Sequence, residues 1–499
     1  MKILLIDPPY ERLMGIKTTP VYPIGLSYLA ATSNHAGHEA IYVNFDYEED
    51  LPIVNPFSRI ANINNYQTYL REVSNNSNRV WELFRKLIKE ISPQVVGISC
   101  VTVKMKSALM MAKIVKEINP DIKVILGGHH AILYAEEILR NCANIDIIAL
   151  GEFDYGLVEV VNALEKRSGT LYEKLCNIPG LCMRNQQDTI ISTGVRELIS
   201  SLDTLPFPES ACYYQDSDIR VLPLTSMIAS RGCPYQCTYC ATTNLWGRNV
   251  RWRSPENFFN EIKYRIRTYN MRNFNFFDDC FTLNKEWVVE LCDRIIKDKV
   301  SINWSCISSI NLIDESLFRK IVEAGCIKIN LGVESGSERI ARLAKRTVKM
   351  EKIRQVFNYA KKYNISTAAY FMIGFPTETV QDMRETQRFI GELSPNWAYV
   401  NVLIPLPGTE MFRMCVDTGL IDKKMAWCGD LYRDLQTNYT GVINDSKFNE
   451  LVDETFTLGF RNNKRLSNLF RRVPIKQYTA RPTKIFSDTK KLISWMRAR

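Results

Sequence analysis

Twice along this chain, short β-branched runs alternate with stretches of helical period, and that double alternation limits the possible folds more than any other feature. In the first 165 residues the runs fall at 2–6, 40–43, 95–99, 123–126 and 146–149. Between them, 24–35, 79–91 and 106–118 space apolar residues three and four apart, as one face of a helix requires. Strands joined through helices lie parallel, so this segment predicts an open, doubly wound, Rossmann-like sheet with helices on both faces. Such sheets bind ligands beyond the carboxyl ends of their strands. Those ends carry Asp7-Pro8-Pro9-Tyr10, Cys100-Val101-Thr102, Gly127-Gly128-His129-His130 and Gly151-Glu152.

Residues 166–222 carry little helical period and include the stiff Leu205-Pro206-Phe207-Pro208, which reads as a connector. Alternation then resumes, with strands expected at 225–230, 273–277, 303–306, 328–332, 366–373 and 399–404. The helical patterns between them are 255–269, 285–297, 315–324, 352–363 and 380–393. Six such units predict a partial (β/α)6, TIM-type barrel whose chemistry lies at the carboxyl ends of its strands. The expected division is therefore 1–165, 166–222, 223–430 and a C-terminal extension over 431–499. A length of 499 residues suits that number of domains.

The net charge of +10 is concentrated at one end. From Arg461 to Arg499 there are twelve Lys or Arg residues and one acid, Asp488, so this tail carries +11 and the rest of the chain −1. Its interleaved Phe470, Tyr478, Phe486 and Trp495 suit an anionic membrane surface, a nucleic acid, an active-site lid, or simply a solvated helix. Peripheral membrane contact through this tail and a lipid-like substrate follow from the first reading; binding of nucleic acid is not expected. No apolar run is long enough to span a bilayer, and the N-terminal apolar stretch is too short for a signal peptide, so a cytoplasmic location is expected.

Most of the fourteen cysteines sit singly in apolar runs, as buried thiols do. One group is different. Arg231-Gly232-Cys233-Pro234-Tyr235-Gln236-Cys237-Thr238-Tyr239-Cys240 sets three thiols at C-x₃-C-x₂-C spacing directly after an expected strand. A loop rich in Gly and Pro can turn three thiolates toward one metal centre. Zinc in a closed site takes four protein ligands, yet all four histidines (His35, His38, His129 and His130) precede this loop. Three ligands instead leave one iron of a four-iron cluster open.

The segment resembles the cluster motif of the radical S-adenosylmethionine (SAM) superfamily, including Tyr239 before the last cysteine. The resemblance implies a [4Fe-4S] cluster on Cys233, Cys237 and Cys240, with SAM on the open iron and one-electron cleavage to a 5′-deoxyadenosyl radical. Further matches follow in order at later strand ends. Phe277-Asp278-Asp279-Cys280 resembles the second-strand motif, which implies that Asp278 and Asp279 lie near the SAM amino group. Gly332-Val333-Glu334-Ser335-Gly336-Ser337 resembles the fourth-strand motif, which implies ribose contacts from Glu334 and a place for Ser335 in the same site. Ile373-Gly374-Phe375-Pro376 and Pro405-Leu406-Pro407-Gly408-Thr409 resemble the loops around the adenine, the first contributing Gly374. Relatives often carry an Arg after the third strand, where this chain reads Ser308-Ser309-Ile310-Asn311, so no SAM partner is assigned there.

A parallel sheet ahead of such a barrel resembles the cobalamin-binding subgroup. The matching features are Asp7-Pro8-Pro9, Tyr22-Pro23-Ile24-Gly25, Gly127-Gly128-His129-His130 and Gly151-Glu152. The resemblance implies cobalamin contacts from Pro23, Gly25, Thr102, Gly127, Gly128, His130, Gly151 and Glu152. No Asp-x-His-x-x-Gly loop occurs, so no histidine ligand to cobalt of that kind is expected. A sheet retained only for folding is the alternative. Tyr66, Tyr69, Trp81 and Phe84, between the second and third strands, are expected to be ordinary helix packing.

Together these features predict a cobalamin-dependent radical SAM methyltransferase acting on a carbon of a small molecule. It would draw electrons from a donor such as flavodoxin or ferredoxin. Ring closure or rearrangement with the same cofactors, and a non-catalytic cobalamin or SAM sensor, are the alternatives. Methylthiolation of tRNA or protein fits poorly, because that family carries a second three-cysteine set near the N-terminus, where residues 1–150 hold only Cys100 and Cys142.

Overall fold

A computed structural model of the chain describes residues 1–16, 22–47, 51, 59–166, 168–208, 225–346, 348–429 and 437–464, with 59–63 and 423–425 as backbone only. β1 (Lys2–Asp7) runs through α1 (Ile24–His35) to β2 (Glu39–Asn44), then through α2 (Arg59–Val73) and α3 (Arg79–Ile91) to β3 (Val95–Ser99). α4 (Met105–Ile118) leads to β4 (Lys123–Gly127), and α5 (His129–Leu133) with α6 (Ala135–Asn141) to β5 (Ile147–Ala149). These five strands are parallel in the order β2-β1-β3-β4-β5. The order reverses between β1 and β3, so a crevice opens at their carboxyl ends.

Beyond α7 (Asp154–Leu164) and α8 (Leu171–Leu175), the expected connector is not all irregular. β6 (Leu181–Arg184) and β7 (Ile190–Ser192) form a hairpin that adds to β5 in the antiparallel sense. Its turn is held by Asn185, whose Oδ1 accepts from the backbone of Gln187 and Thr189. The parallel sheet is thus extended at one edge by an antiparallel pair.

The sheet buries both faces, as its continuous apolar strands require. Ile3 and Leu5 enter one apolar cluster with α1 and α7, while Leu4 and Ile6 enter another with α3 and α4. Tyr66, Tyr69, Trp81 and Phe84 are all buried in the second cluster, which is the packing role expected of them.

The second unit begins with β8 (Ser226–Met227) and a small antiparallel pair, β9 (Ser230–Arg231) with β10 (Arg251–Trp252), flanking α9 (Thr242–Trp246). It continues through α10 (Pro255–Tyr269), β11 (Asn273–Phe276), α11 (Lys285–Lys297), β12 (Asn303–Ser308), α12 (Glu315–Glu323) and β13 (Cys326–Glu334). α13 (Glu338–Leu343), α14 (Met350–Lys362), β14 (Ser366–Ile373), α15 (Val380–Leu393) and β15 (Trp397–Val402) complete the barrel part. Six parallel strands in the order β8-β11-β12-β13-β14-β15 form the open barrel. β8 is shorter than the run predicted at 225–230 because Asp278 Oδ1 captures the backbone N–H groups of Ala229 and Ser230.

α16 (Glu410–Asp417) and α17 (Asp445–Asn463) follow. α17 lies on the edge strand β15, where Asn463 donates to and accepts from the backbone of Ala398. A side-chain amide thereby satisfies an edge that would otherwise invite another strand. The basic tail beyond residue 464 lies outside the described residues.

Candidate functional site

The cysteine loop leaves β9 through Gly232, at φ +108. A Cβ there would lie 2.5 Å from the Asn249 carbonyl oxygen, so only glycine lets the loop cross the chain entering β10. The loop is pinned in three places. Cys240 N donates to Cys237 O at 3.1 Å, Thr238 N to Ala344 O at 3.3 Å, and Met411 N to Thr238 O at 2.9 Å. Cys233, Cys237 and Cys240 are each half-buried. Burial, helped by Cys280, Asp279 and Cys240 nearby, pushes the Cys233 thiol up to about 12. Among the described residues no three His, Cys, Asp or Glu side chains are drawn together tightly enough to hold an ion as they stand. The donor chemistry nonetheless fits an iron–sulfur cluster: three soft thiols on one fastened Gly/Pro loop, each part-exposed.

Around this loop the strand ends bring some of the expected residues together. Glu334 ends β13 at φ +68, after a register break between Gly332 and Glu334. A buried glutamate in the left-handed region is strained, and such strain marks functional positions. Burial raises its pKa, while Arg346 and Tyr239 lower it. The Tyr239 phenol is driven well above its usual value, first by burial and then by Glu334. Its ring meets Phe375 edge-on at 6.4 Å. Arg346, which the motifs did not indicate, ties the group together. It donates to Gly332 O at 2.7 Å and reaches Cys237 Sγ at 3.8 Å. Its Nε is buried without a partner, a donor held toward the site.

The two aspartates have different roles. Asp278 Oδ1 accepts from Ala229 N, Ser230 N and Ser230 Oγ, so the side chain stitches β8 and β9 to β11. Only its buried Oδ2 has no partner, and burial pushes the carboxyl up to about 6. Asp279 accepts from Thr242 Oγ1 at 3.2 Å and from the Gly232 N–H, which secures the start of the cysteine loop. Ser335 turns away from the barrel: its hydroxyl accepts from Ser337 N and pairs with Thr386 of α15.

Gly374 sits at φ +89 with the Phe448 ring 3.1 Å from where a Cβ would be. Glu378 holds this turn, accepting from the N–H groups of Gly374 and Phe375. It is fully buried, and burial pushes its carboxyl up to about 8. Its only sequence signal is a carboxylate placed shortly after Gly-Phe-Pro.

At the carboxyl edge of the N-terminal sheet, the side chains of Glu152 and His130 reach across to other parts of the chain. Glu152 binds Arg231 through Oε1, and Arg251 Nη1 and Ile199 N at 2.7 Å through Oε2. Asp154 joins the same Arg231 at 2.7 Å. Arg231 also lies over the rings of Tyr28 and Trp246. His130 is fully buried: Nε2 lies 2.9 Å from the Trp427 carbonyl and Nδ1 3.1 Å from Thr102 Oγ1. A carbonyl can only accept, so Nε2 carries the proton and Nδ1 accepts from Thr102. Burial lowers the His130 pKa, in keeping with this neutral form. Both side chains fasten the sheet to the second unit.

The other edge residues divide by the space above them. A Cβ at Gly128 would strike the Cys100 carbonyl at 2.6 Å, so the backbone there needs glycine, whereas one at Gly127 would make only ordinary contact with Ala149 at 3.6 Å. Gly25 and Gly151 have nothing within 4 Å of where a Cβ would stand. Val101 is 43% exposed beside half-buried Thr102, and Pro23 lies just before α1. This open, partly apolar ledge fits the face of a large flat cofactor such as cobalamin. The motifs did not reveal Lys104, which pairs with Asp7 at 2.8 Å and Asp46 at 3.1 Å below the crevice. The ledge faces the barrel mouth, since both Leu133 of α5 and Asn244 of α9 crowd Gly408, in the loop after β15.

Comparison with known proteins agrees with both halves of this arrangement. Residues 227–390 match the radical SAM superfamily and residues 18–161 the B12 binding domain. An uncharacterized methyltransferase of Pyrococcus horikoshii is 29% identical over 423 residues, 84% of each chain. The anaerobic magnesium-protoporphyrin IX monomethyl ester cyclase of Rubrivivax gelatinosus is 25% identical over 335 residues, 66% of this chain and 60% of that one. The solved structure of the cobalamin-dependent S-adenosylmethionine radical enzyme OxsB, with aqua-cobalamin and SAM bound, shares the fold. Its TM-score is 0.64 at 14% identity, over 99% of this chain and 75% of that one.

Proposed function

We propose that this chain, whose residues 227–390 match the radical SAM superfamily and 18–161 the B12 binding domain, methylates an unactivated carbon of a small-molecule substrate. The observation that carries this reading is the meeting of two edges: a three-thiol loop at the barrel mouth opposite an open ledge on the sheet. When bound, a [4Fe-4S] cluster with SAM supplies a hydrogen-abstracting radical, and cobalamin supplies a transferable methyl group.

In this reading Cys233, Cys237 and Cys240 hold the cluster. Tyr239, Glu334 and Arg346 form a charged, hydrogen-bonding wall for the SAM ribose and amino acid. Asp279 and the free oxygen of Asp278 face the ammonium. Gly374, held by Glu378, offers backbone close to a purine. Pro23, Gly25, Val101, Thr102 and Gly151 form the corrin ledge, and the Glu152 and His130 clasps hold that ledge opposite the cluster loop, excluding water from between. A flavodoxin- or ferredoxin-class protein supplies the electron. No helix of the described residues is long and apolar enough to cross a membrane. Contact between the basic tail and anionic lipid is tested by comparing liposome binding of the full and tail-truncated chains.

The central test is anaerobic reconstitution with iron, sulfide and cobalamin. The expected result is a four-iron paramagnetic signal on reduction, retained cobalamin, and SAM cleavage that Cys237→Ala lowers by at least about a hundredfold. A chain that retains no cobalamin and cleaves no SAM overturns the reading. The similarity to a cyclase supports a second reading, ring closure with the same cofactors. Product analysis separates the two, because only methyl transfer forms S-adenosylhomocysteine in step with product.

A further inference from the structure

The residues assigned to the cluster, SAM and cobalamin all lie at the carboxyl ends of strands. At the opposite, amino ends of β11 and β12, a cavity of about 590 Å³ opens. Arg272 directly precedes β11, and Lys299 lies in the turn between α11 and β12. α10 supplies a second wall through Lys263, Tyr264 and Arg267, and Phe207 of the connector a third.

Four cations and one acid, Asp298, line this space, a net charge of +3. The 460 residues before the basic tail sum to −1, so the charge here is a local concentration. Lys263 lies 4.0 Å from Asp298, and Arg272 donates through Nη1 to the Ser301 carbonyl at 3.3 Å. Among the described residues, the side chains of Arg267 and Lys299 have no partner. Arg267, in the last turn of α10, also meets the negative end of that helix, but Arg272 and Lys299 stand beyond the helix ends. Lys299 is held at φ +52, in left-handed backbone where glycine is the ordinary choice after a helix. Like charges gathered round one cavity repel each other, and an anion between them relieves that repulsion.

The same walls carry two rings. Phe207 meets Tyr264 at 6.0 Å and 44°, and the buried Arg253 guanidinium backs Phe207 at 5.4 Å from its ring centre. Small-molecule sites span about 300–1,000 Å³, a range that includes this cavity, whereas a lone phosphate would leave most of it empty.

We infer that this cavity binds a nucleoside polyphosphate, with its phosphates among Arg267, Arg272 and Lys299 and its base against Phe207 and Tyr264. Charge-assisted hydrogen bonds hold the phosphates, and ring contact holds the base. The inference does not depend on what the carboxyl ends of the strands catalyse.

Equilibrium dialysis of the full chain against GTP, guanosine and tripolyphosphate tests it. GTP is expected to bind at least about tenfold more tightly than guanosine and to weaken as salt rises. Arg267→Glu and Lys299→Glu are each expected to weaken GTP at least about tenfold. Phe207→Leu is expected to weaken GTP about threefold and to leave tripolyphosphate unchanged. Asp298→Asn removes the one acid and is expected to tighten GTP about twofold, a gain that damaged folding does not produce. The basic tail also attracts phosphates, but binding there is the same in wild type and Arg267→Glu. Equal GTP binding by those two chains therefore overturns the inference. So does guanosine that binds as tightly as GTP, or a Phe207→Leu chain that binds GTP as wild type does.

Discussion

The two sheets arise from the same alternation of strand and helix, yet they offer ligands different surfaces. β1, read as Lys-Ile-Leu-Leu-Ile-Asp, is apolar without a break and buries both faces. β11, read as Asn-Phe-Asn-Phe, alternates strictly, burying its phenylalanines and turning its asparagines inward. The first sheet can therefore receive a ligand only at its carboxyl edge. The barrel has both an edge and a concave face on which inward-pointing side chains stand. Coverage of the second face, rather than strand order, separates the two surfaces.

The largest effect is expected where the two units are joined. Arg231 is buried between Glu152 and Asp154, two residues before the first cluster cysteine. Arg231→Leu leaves both carboxylates buried without that cation, which is expected to cost about 3–5 kcal/mol in urea unfolding. If the two units were only loosely docked, the same change would cost under about 1 kcal/mol, because water would reach the acids.

One carboxylate in each unit makes a second contrast. The sheet pairs Asp7 and Asp46 with Lys104, whereas at the barrel mouth the fully buried Glu378 takes only backbone N–H groups. Its carboxyl stays protonated in the fold until about pH 8, while in the unfolded chain it ionises near its ordinary value of 4.5. Between those values the unfolded state binds fewer protons, so stability falls as pH rises. From pH 5 to pH 8 wild type is expected to lose at least about 1 kcal/mol relative to Glu378→Gln, read from paired urea midpoints. Parallel pH profiles of the two chains would mean that Glu378 is ionised within the fold.

The contrast between the sheets could be read in the sequence, and so could much of the barrel mouth. Val95–Ser99 and Ser366–Ile373 occupy the bounds predicted for them, because long apolar runs leave few alternatives. The hairpin of β6 and β7 left no comparable signal: its strands have four and three residues and pair only at the sheet edge. Among the site residues, Glu334 and Tyr239 came from motifs and do lie side by side. The clasps of Glu152 and His130 left no signal of their own, because a polar side chain at a strand end looks the same whether its partner is a ligand or another domain. Arg346 and Glu378 went unnoticed for a related reason. Their partners are backbone groups or side chains brought close only by the folded barrel.

The smallest expected effect is the most direct measure of the difference between the faces. Ile98 on β3 is 2% exposed within the apolar cluster beneath α3 and α4. Ile98→Val removes one methylene from close packing and is expected to cost about 1 kcal/mol. Ile307 on β12 is only half-buried on the open inner face, so the same change there removes a group with few fixed neighbours. Ile307→Val is expected to cost under about 0.5 kcal/mol in the unliganded chain. The pair is chemically identical and both positions are strand isoleucines, so propensity cancels and only coverage differs. If the two variants lose equal stability, the inner face is packed as tightly as the sheet core, and no chamber exists there for a substrate.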